Sequence, residues 1–135
     1  MSVIVTDQGF AQDDFRGSFT PLGDLAEGTA ALDLPATTDL ATLGGRLDGV
    51  ALIRIAFPSF ADGRGFTLAR RLRLMGYTGR LRAGGHVIAD QYAMARRSGF
   101  DEVEITADLA LRQPAAQWKF RADWRAHDYR SRLYA

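Results

Sequence analysis

The sequence contains no cysteine, which excludes disulfides, thiol nucleophiles, cysteine-held iron–sulfur clusters and most structural zinc sites together. Histidine is nearly as scarce. His86 and His127 are the only two, far apart in the chain, and no His-x-x-x-His or Glu-x-x-His pattern accompanies them to hold a metal on one helix face. A run of about 18 apolar residues, the length a membrane-spanning helix needs, is missing as well. So is a secretory leader, because the first apolar stretch, residues 3–5, is broken at once by Thr6 and Asp7. These absences lead us to expect a cytoplasmic protein. Lysine is almost absent too, and that bias carries little functional weight.

What is present describes one globular domain. At 135 residues, with 47% hydrophobic and 24% charged residues, the chain is long enough for a single core and too short for two. The net charge of +1 hides an asymmetry. Residues 1–53 carry two arginines against eight acids, and residues 54–135 carry fourteen arginines and one lysine against another eight. Such a split fits either an anionic ligand or partner for the basic half, or two halves that attract each other in the fold.

Taken in order, residues 2–5 read as a short strand followed by turn chemistry at Thr6-Asp7-Gln8-Gly9. Residues 10–27 show no sustained period and read as an irregular arm that covers something. Residues 31–34 form a strand stopped by Pro35. Leu40, Leu43 and Leu47 then predict a helix at i, i+3, i+7 spacing, capped from Thr37, Thr38 or Asp39 and weakened by Gly44 and Gly45. Residues 50–57 are the strongest strand, nearly continuous in hydrophobicity as a strand covered on both faces should be. Arg54 interrupts it and, if inside the sheet, requires a carboxylate partner.

Phe66, Ala69, Leu72 and Met75 stripe a helix over 65–75 that Gly76 ends. A strand at 80–83 follows, then a helix from about His86 to Arg97 ended by Gly99, a strand at 101–106, and a helical region from Asp108 interrupted by Pro114. Strand and helix alternating at these lengths predict an α/β domain with a mainly parallel sheet flanked by helices. We expect an open three-layer sandwich, with a half-barrel of βα units as the alternative.

Two loops stand where such a fold places a site. Ala61-Asp62-Gly63-Arg64-Gly65 follows the strand at 50–57 and enters a helix. Freed backbone N–H groups, the helix dipole and Arg64 suit a phosphate, sulfate or carboxylate there; in the plainer alternative Asp62 caps the helix and Arg64 pairs with a nearby acid. Arg82-Ala83-Gly84-Gly85-His86 follows the next strand, so parallel order puts it on the same sheet edge. Asp90 lies four residues past His86, a spacing that on a helix allows a carboxylate-oriented general base, or equally a solvated cap. No nucleophile elbow, zinc signature or dinucleotide fingerprint is present, and nothing marks Ser59 or Thr67 as activated.

Four separated blocks carry a resemblance. They are Phe-x-x-Phe-x-Asp-Gly-Arg-x-Phe-Thr-x-Ala over 57–69, Gly-Tyr-x-Gly-x-Leu-Arg-Ala over 76–83, Asp90-Gln91, and Gly-Phe-Asp over 99–101. In that order they resemble the bacterial domain-of-unknown-function family 934. The resemblance implies a small cytoplasmic protein, often labelled an oxidoreductase and commonly encoded beside assimilatory sulfite or nitrite reductase, hence a role in sulfur assimilation. Asp62, Gly63, Arg64, Arg82, Asp90 and Gln91 fall on the family's motif. His86 stands where relatives carry a different turn, which weakens its pairing with Asp90 as a base.

The C-terminal stretch interleaves Trp118, Phe120, Trp124, Tyr129 and Tyr134 with Lys119, Arg121, Arg125, Arg130 and Arg132. Basic residues among aromatic platforms can bind single-stranded nucleic acid. The same residues at helical spacing suit docking on the domain, on a second copy or on a partner, which Asp123, Asp128 and the near-neutral chain favour. Three functions follow as expectations. One is an accessory or oxidoreductase component of sulfite reduction, with sulfite reductase or another sulfur-assimilation protein as partner and, if it moves electrons, a borrowed flavin or nicotinamide. Another is a non-catalytic module binding an anion or nucleotide between the two loops. The last is nucleic-acid binding through the tail.

Overall fold

The computed structural model describes residues 2–43 and 45–124. Seven strands form one sheet: β1 (Ser2–Thr6), β2 (Gly9–Ala11), β3 (Thr20–Pro21), β4 (Ala31–Leu34), β5 (Leu52–Phe57), β6 (Arg80–Gly85) and β7 (Glu102–Thr106). Among the described residues four helices accompany them: α1 (Arg64–Leu74), α2 (Tyr92–Ser98), α3 (Ala107–Arg112) and α4 (Ala115–Phe120). The sheet order is β2-β1-β7-β6-β5-β4-β3. From β3 to β7 the strands run parallel in chain order, while β1 pairs antiparallel with both β2 and β7. The expected mainly parallel sheet with flanking helices is present.

Two-residue alternation decides what each face of the sheet does. Leu32, Leu34, Ile53, Ile55, Phe57, Leu81, Ala83, Val103 and Ile105 join one buried core cluster with Phe66 and Leu72 of α1, Tyr92 and Ala95 of α2, and Trp118 of α4. Successive parallel strands joined by right-handed crossovers stack their helices on one side of the sheet, and this shared cluster is what that rule produces. The alternate residues on the strands are charged. Asp33, Arg54, Arg82 and Glu102 stand in register across β4, β5, β6 and β7, and the arm supplies Asp13 and Phe19 against them. The third layer is therefore the N-terminal arm.

Two expected helices are shorter than their apolar spacing predicts. Leu40 and Leu43 are buried as expected, but on a 3₁₀ turn, Leu40–Leu43, and Gly45 behind it takes a left-handed φ of 73°. The helix expected from His86 begins only at Tyr92, after a 3₁₀ turn at Ala89–Gln91. The cause lies in the strand before it. Gly85 has φ 106°, and a side chain there would put its Cβ 2.7 Å from the carbonyl oxygen of Phe57. His86 still donates its N–H to that same Phe57 carbonyl at 3.0 Å, and Ile88 remains extended. The backbone is committed to the sheet through His86 and cannot yet turn.

Candidate functional site

Polar side chains converge in two places. The first is the arm-facing side of the sheet. Arg82 is fully buried, and its guanidinium donates to Glu102 (Nε to Oε2, 2.6 Å), Glu104 (Nη1 to Oε1, 2.8 Å) and Asp13 (Nη2 to Oδ1, 2.9 Å). Arg54 forks onto Asp33 at 2.7 and 2.8 Å and reaches Glu104 with Nη1. The Phe19 ring lies 3.8 Å from its guanidinium carbon. Arg80 joins Glu102 at 2.7 Å and Asp14 at 2.9 Å. Strand Arg54 thus has the carboxylate partners it requires.

Five carboxylates and three guanidiniums make up this network, so it holds a surplus of negative charge. The hydrogen bonds from Arg82 hold the Asp13 carboxyl below its ordinary value. A carboxyl lowered in this way stays ionised near neutrality. A hollow of about 640 Å³ opens beside the network over Ala56 and Gly84, with Asp33, Arg54 and Glu104 at its wall. Its charged groups already satisfy one another.

The second place lies beyond the carboxyl ends of β6 and β7, where parallel sheets form ligand crevices. A hollow of about 570 Å³ is floored by Gly85 and Thr106 and walled by Phe60, His86, Ile88, Leu109, Arg112 and Gln113. Local hydrogen bonds fix its rim. Gln113 Oε1 accepts the N–H of Ala89 at 2.8 Å, Gln91 Oε1 accepts that of Ile88 at 3.1 Å, and Gln91 Nε2 donates to the Phe60 carbonyl at 2.6 Å. Thr106 caps α3 by accepting the N–H of Leu109 at 3.2 Å, which sets the helix at this edge. No acid lines the hollow.

The residues expected from the sequence separate accordingly. Arg64 and Asp62 bind each other, with Nη2 to Oδ2 at 2.6 Å, and those hydrogen bonds bring the Asp62 carboxyl down to about 2. Of the plainer reading the pairing of Arg64 with an acid holds, but Asp62 is not the helix cap: Gly63 occupies the N-cap position of α1, with no side-chain cap, and Asp62 accepts the Arg64 N–H at 3.1 Å from one residue before that position. Arg82 lies within the buried network, its donors occupied, so it does not face an anion together with Arg64. Asp90 pairs with Arg121 of the segment after α4 at 3.0 Å. With no helix over 86–90, the one-turn geometry expected between His86 and Asp90 does not form. His86 lines the second hollow, and Gln91 bonds to the Ile88 N–H and the Phe60 carbonyl of its wall.

Sequence reasoning missed Phe60, Thr106, Leu109, Arg112 and Gln113 as wall residues. Topology assembles them, because α3 follows β7, the sheet neighbour of β6. No motif announces that. Another polar cluster went unnoticed: Tyr92 donates to Asp7, which also pairs with Arg96 at 3.2 Å. Burial and that bond push the Tyr92 phenol above its ordinary range, so it stays protonated near neutral pH. Among the described residues no group of three or more histidine, aspartate or glutamate side chains is arranged to hold a metal ion. In the tail, Trp118 is buried in the core and Phe120 is exposed; Arg125, Tyr129, Arg130, Arg132 and Tyr134 lie outside the described residues, as does His127. Among the described residues no helix is long and apolar enough to cross a membrane.

Comparison with known proteins agrees with the four sequence blocks. A family model described as a bacterial protein of unknown function, DUF934, matches residues 31–131. No curated protein matches the chain. The matched span takes in β4 to β7, the helices α1 to α4 and every residue that lines the second hollow, and on that ground the chain belongs to the DUF934 family.

Proposed function

We propose that the protein serves assimilatory sulfite reduction as an accessory component that docks on the reductase and supports it. Family membership over residues 31–131 carries the reading, through the association with sulfite reductase that the resemblance implies. Two features of the chain support docking over chemistry of its own. The densest polar constellation, around Arg82, is spent on internal pairing and is buried. Leu111 and Phe120 are about four-fifths exposed, on α3 and α4, and large apolar side chains on a surface favour association with another protein.

The decisive test is deletion of the gene followed by growth on sulfate or sulfite as the sulfur source. Growth is expected to fail and to be restored by cysteine. Normal growth on sulfate removes the proposal. Where growth fails, co-purification of sulfite reductase with the tagged protein is expected; recovery of the protein without the reductase, but with a flavin or nicotinamide, would instead favour an oxidoreductase component.

A further inference from the structure

We propose that the hollow beyond β6 and β7 binds a small organic anion with a flat apolar body. Arg112 and His86 hold the charge, and Phe60, Ile88 and Leu109 hold the body.

Charge balance is the first argument. The guanidiniums of Arg54, Arg64, Arg73, Arg80, Arg82, Arg96 and Arg121 each have an acid within ion-pairing distance; Arg16, Arg46, Arg70, Arg71 and Arg97 have none among the described residues, and none of those five lines this hollow. Arg112 has no hydrogen bond or ion pair to any described residue, and the His86 side chain has none either. Both line a single hollow that contains no acid. An anion gains there from two side chains that make no other hydrogen bond among the described residues, whereas a cation meets the Arg112 charge with no acid to offset it. The opposite holds in the hollow beside Arg54, where the surplus charge is negative and the guanidinium is occupied.

Shape is the second argument. A volume of about 570 Å³ is that of a small-molecule pocket and far exceeds a bare sulfate. Phe60 is 60% exposed and turns its backbone carbonyl to Gln91, which anchors an aromatic ring at the rim with nothing packed over it. Helix-end arginines are common, because they complement the negative end of the helix dipole. That accounts for Arg112 alone. It does not account for an uncovered phenylalanine, a histidine and a walled cavity at the same spot.

The test is a ¹⁵N-resolved NMR titration of the full chain with three probes. These are 1-naphthoate, 1-naphthylmethylamine as a cation of the same size, and sulfate as an anion without a body. Naphthoate is expected to shift the amides of Gly85, His86 and Gln113 saturably, and the other two to bind at least tenfold more weakly. Loss of one charge-assisted hydrogen bond predicts that Arg112→Gln weakens naphthoate about tenfold or more. Because Arg112 is exposed, its melting temperature should be unchanged. Phe60→Ala should weaken naphthoate while leaving sulfate unaffected. The proposal is overturned if naphthoate gives no saturable shift, if the amine binds as well, if the shifts centre on Gly84 or on the Asp62 loop, or if Arg112→Gln binds naphthoate as the parent does. None of these results depends on whether the protein serves sulfite reduction.

Discussion

At Arg82 three carboxylates surround one buried guanidinium, and truncating the arginine would leave all three facing each other without it. Breaking a buried pair from one side typically costs about 3–5 kcal/mol, so Arg82→Ala should lower the urea midpoint by that equivalent with the slope unchanged. Asp62→Ala removes a local ion pair whose arginine is exposed, and should leave the midpoint almost unchanged. Equal effects would mean that burial does not distinguish the two pairs. Sequence alone ranked these residues together, as members of one motif. Their alternation was legible in Arg80-x-Arg82 and Glu102-x-Glu104, a two-residue period that puts each pair on one sheet face. Which arginine meets which acid was not, because that depends on strand register. His86 and Asp90 failed for a different reason: their spacing matters only on a helix, and Gly85 holds the backbone in the sheet past that point.

The inner strands were the elements best read in advance, since continuous apolar runs leave few alternatives, whereas the short β2 and β3 fall in the stretch expected to be irregular. The arm was read only as a cover. Its attachment is electrostatic in large part, through Asp13 to Arg82 and Asp14 to Arg80, with Asp7 bound to Tyr92 and Arg96 behind β1. This predicts an acid-sensitive arm. The Asp13 carboxyl is held below its ordinary 3.8 by hydrogen bonds from Arg82. For Asp7 burial acts upward, yet the bonds from Tyr92 and Arg96 outweigh it and leave the net shift downward. A carboxyl lowered in the folded state contributes stability in full above its unfolded value, and that contribution fades as pH falls through the folded one. Urea stability should therefore drop on acidification below about pH 4. Asp13→Asn should be less stable than the parent at pH 6 and show a shallower acid loss. An Asp13→Asn profile parallel to the parent's would remove Asp13 as a source of the acid dependence.

For the molecule as a whole, the charge split between the halves has a structural use. Acids of the first half, Asp7, Asp13, Asp14 and Asp33, pair with arginines of the second, so mutual attraction accounts for much of the asymmetry. The family match begins at residue 31, yet the preceding residues complete the fold. Val5 belongs to the core, β1 covers β7, and Phe19 covers Arg54. A chain starting at residue 31 is thus expected to lose its cooperative thermal transition, measured by circular dichroism. A sharp transition at the parental temperature would make the arm an appendage.

Both rims of the sheet, β2 on one side and β3 on the other, come from the first 21 residues. One of those rim strands ends in Pro21, which offers no N–H to a passing chain. The same arrangement has a temporal consequence during synthesis. Ser2 finds its ladder partner only in Thr106, and contacts of such long sequence separation form slowly. β1 leaves the ribosome well before β7 and is among the last elements to settle. Until β7 emerges, the nascent chain carries its own edge guards unplaced, and the interval before they close is when this protein is most open to a chaperone.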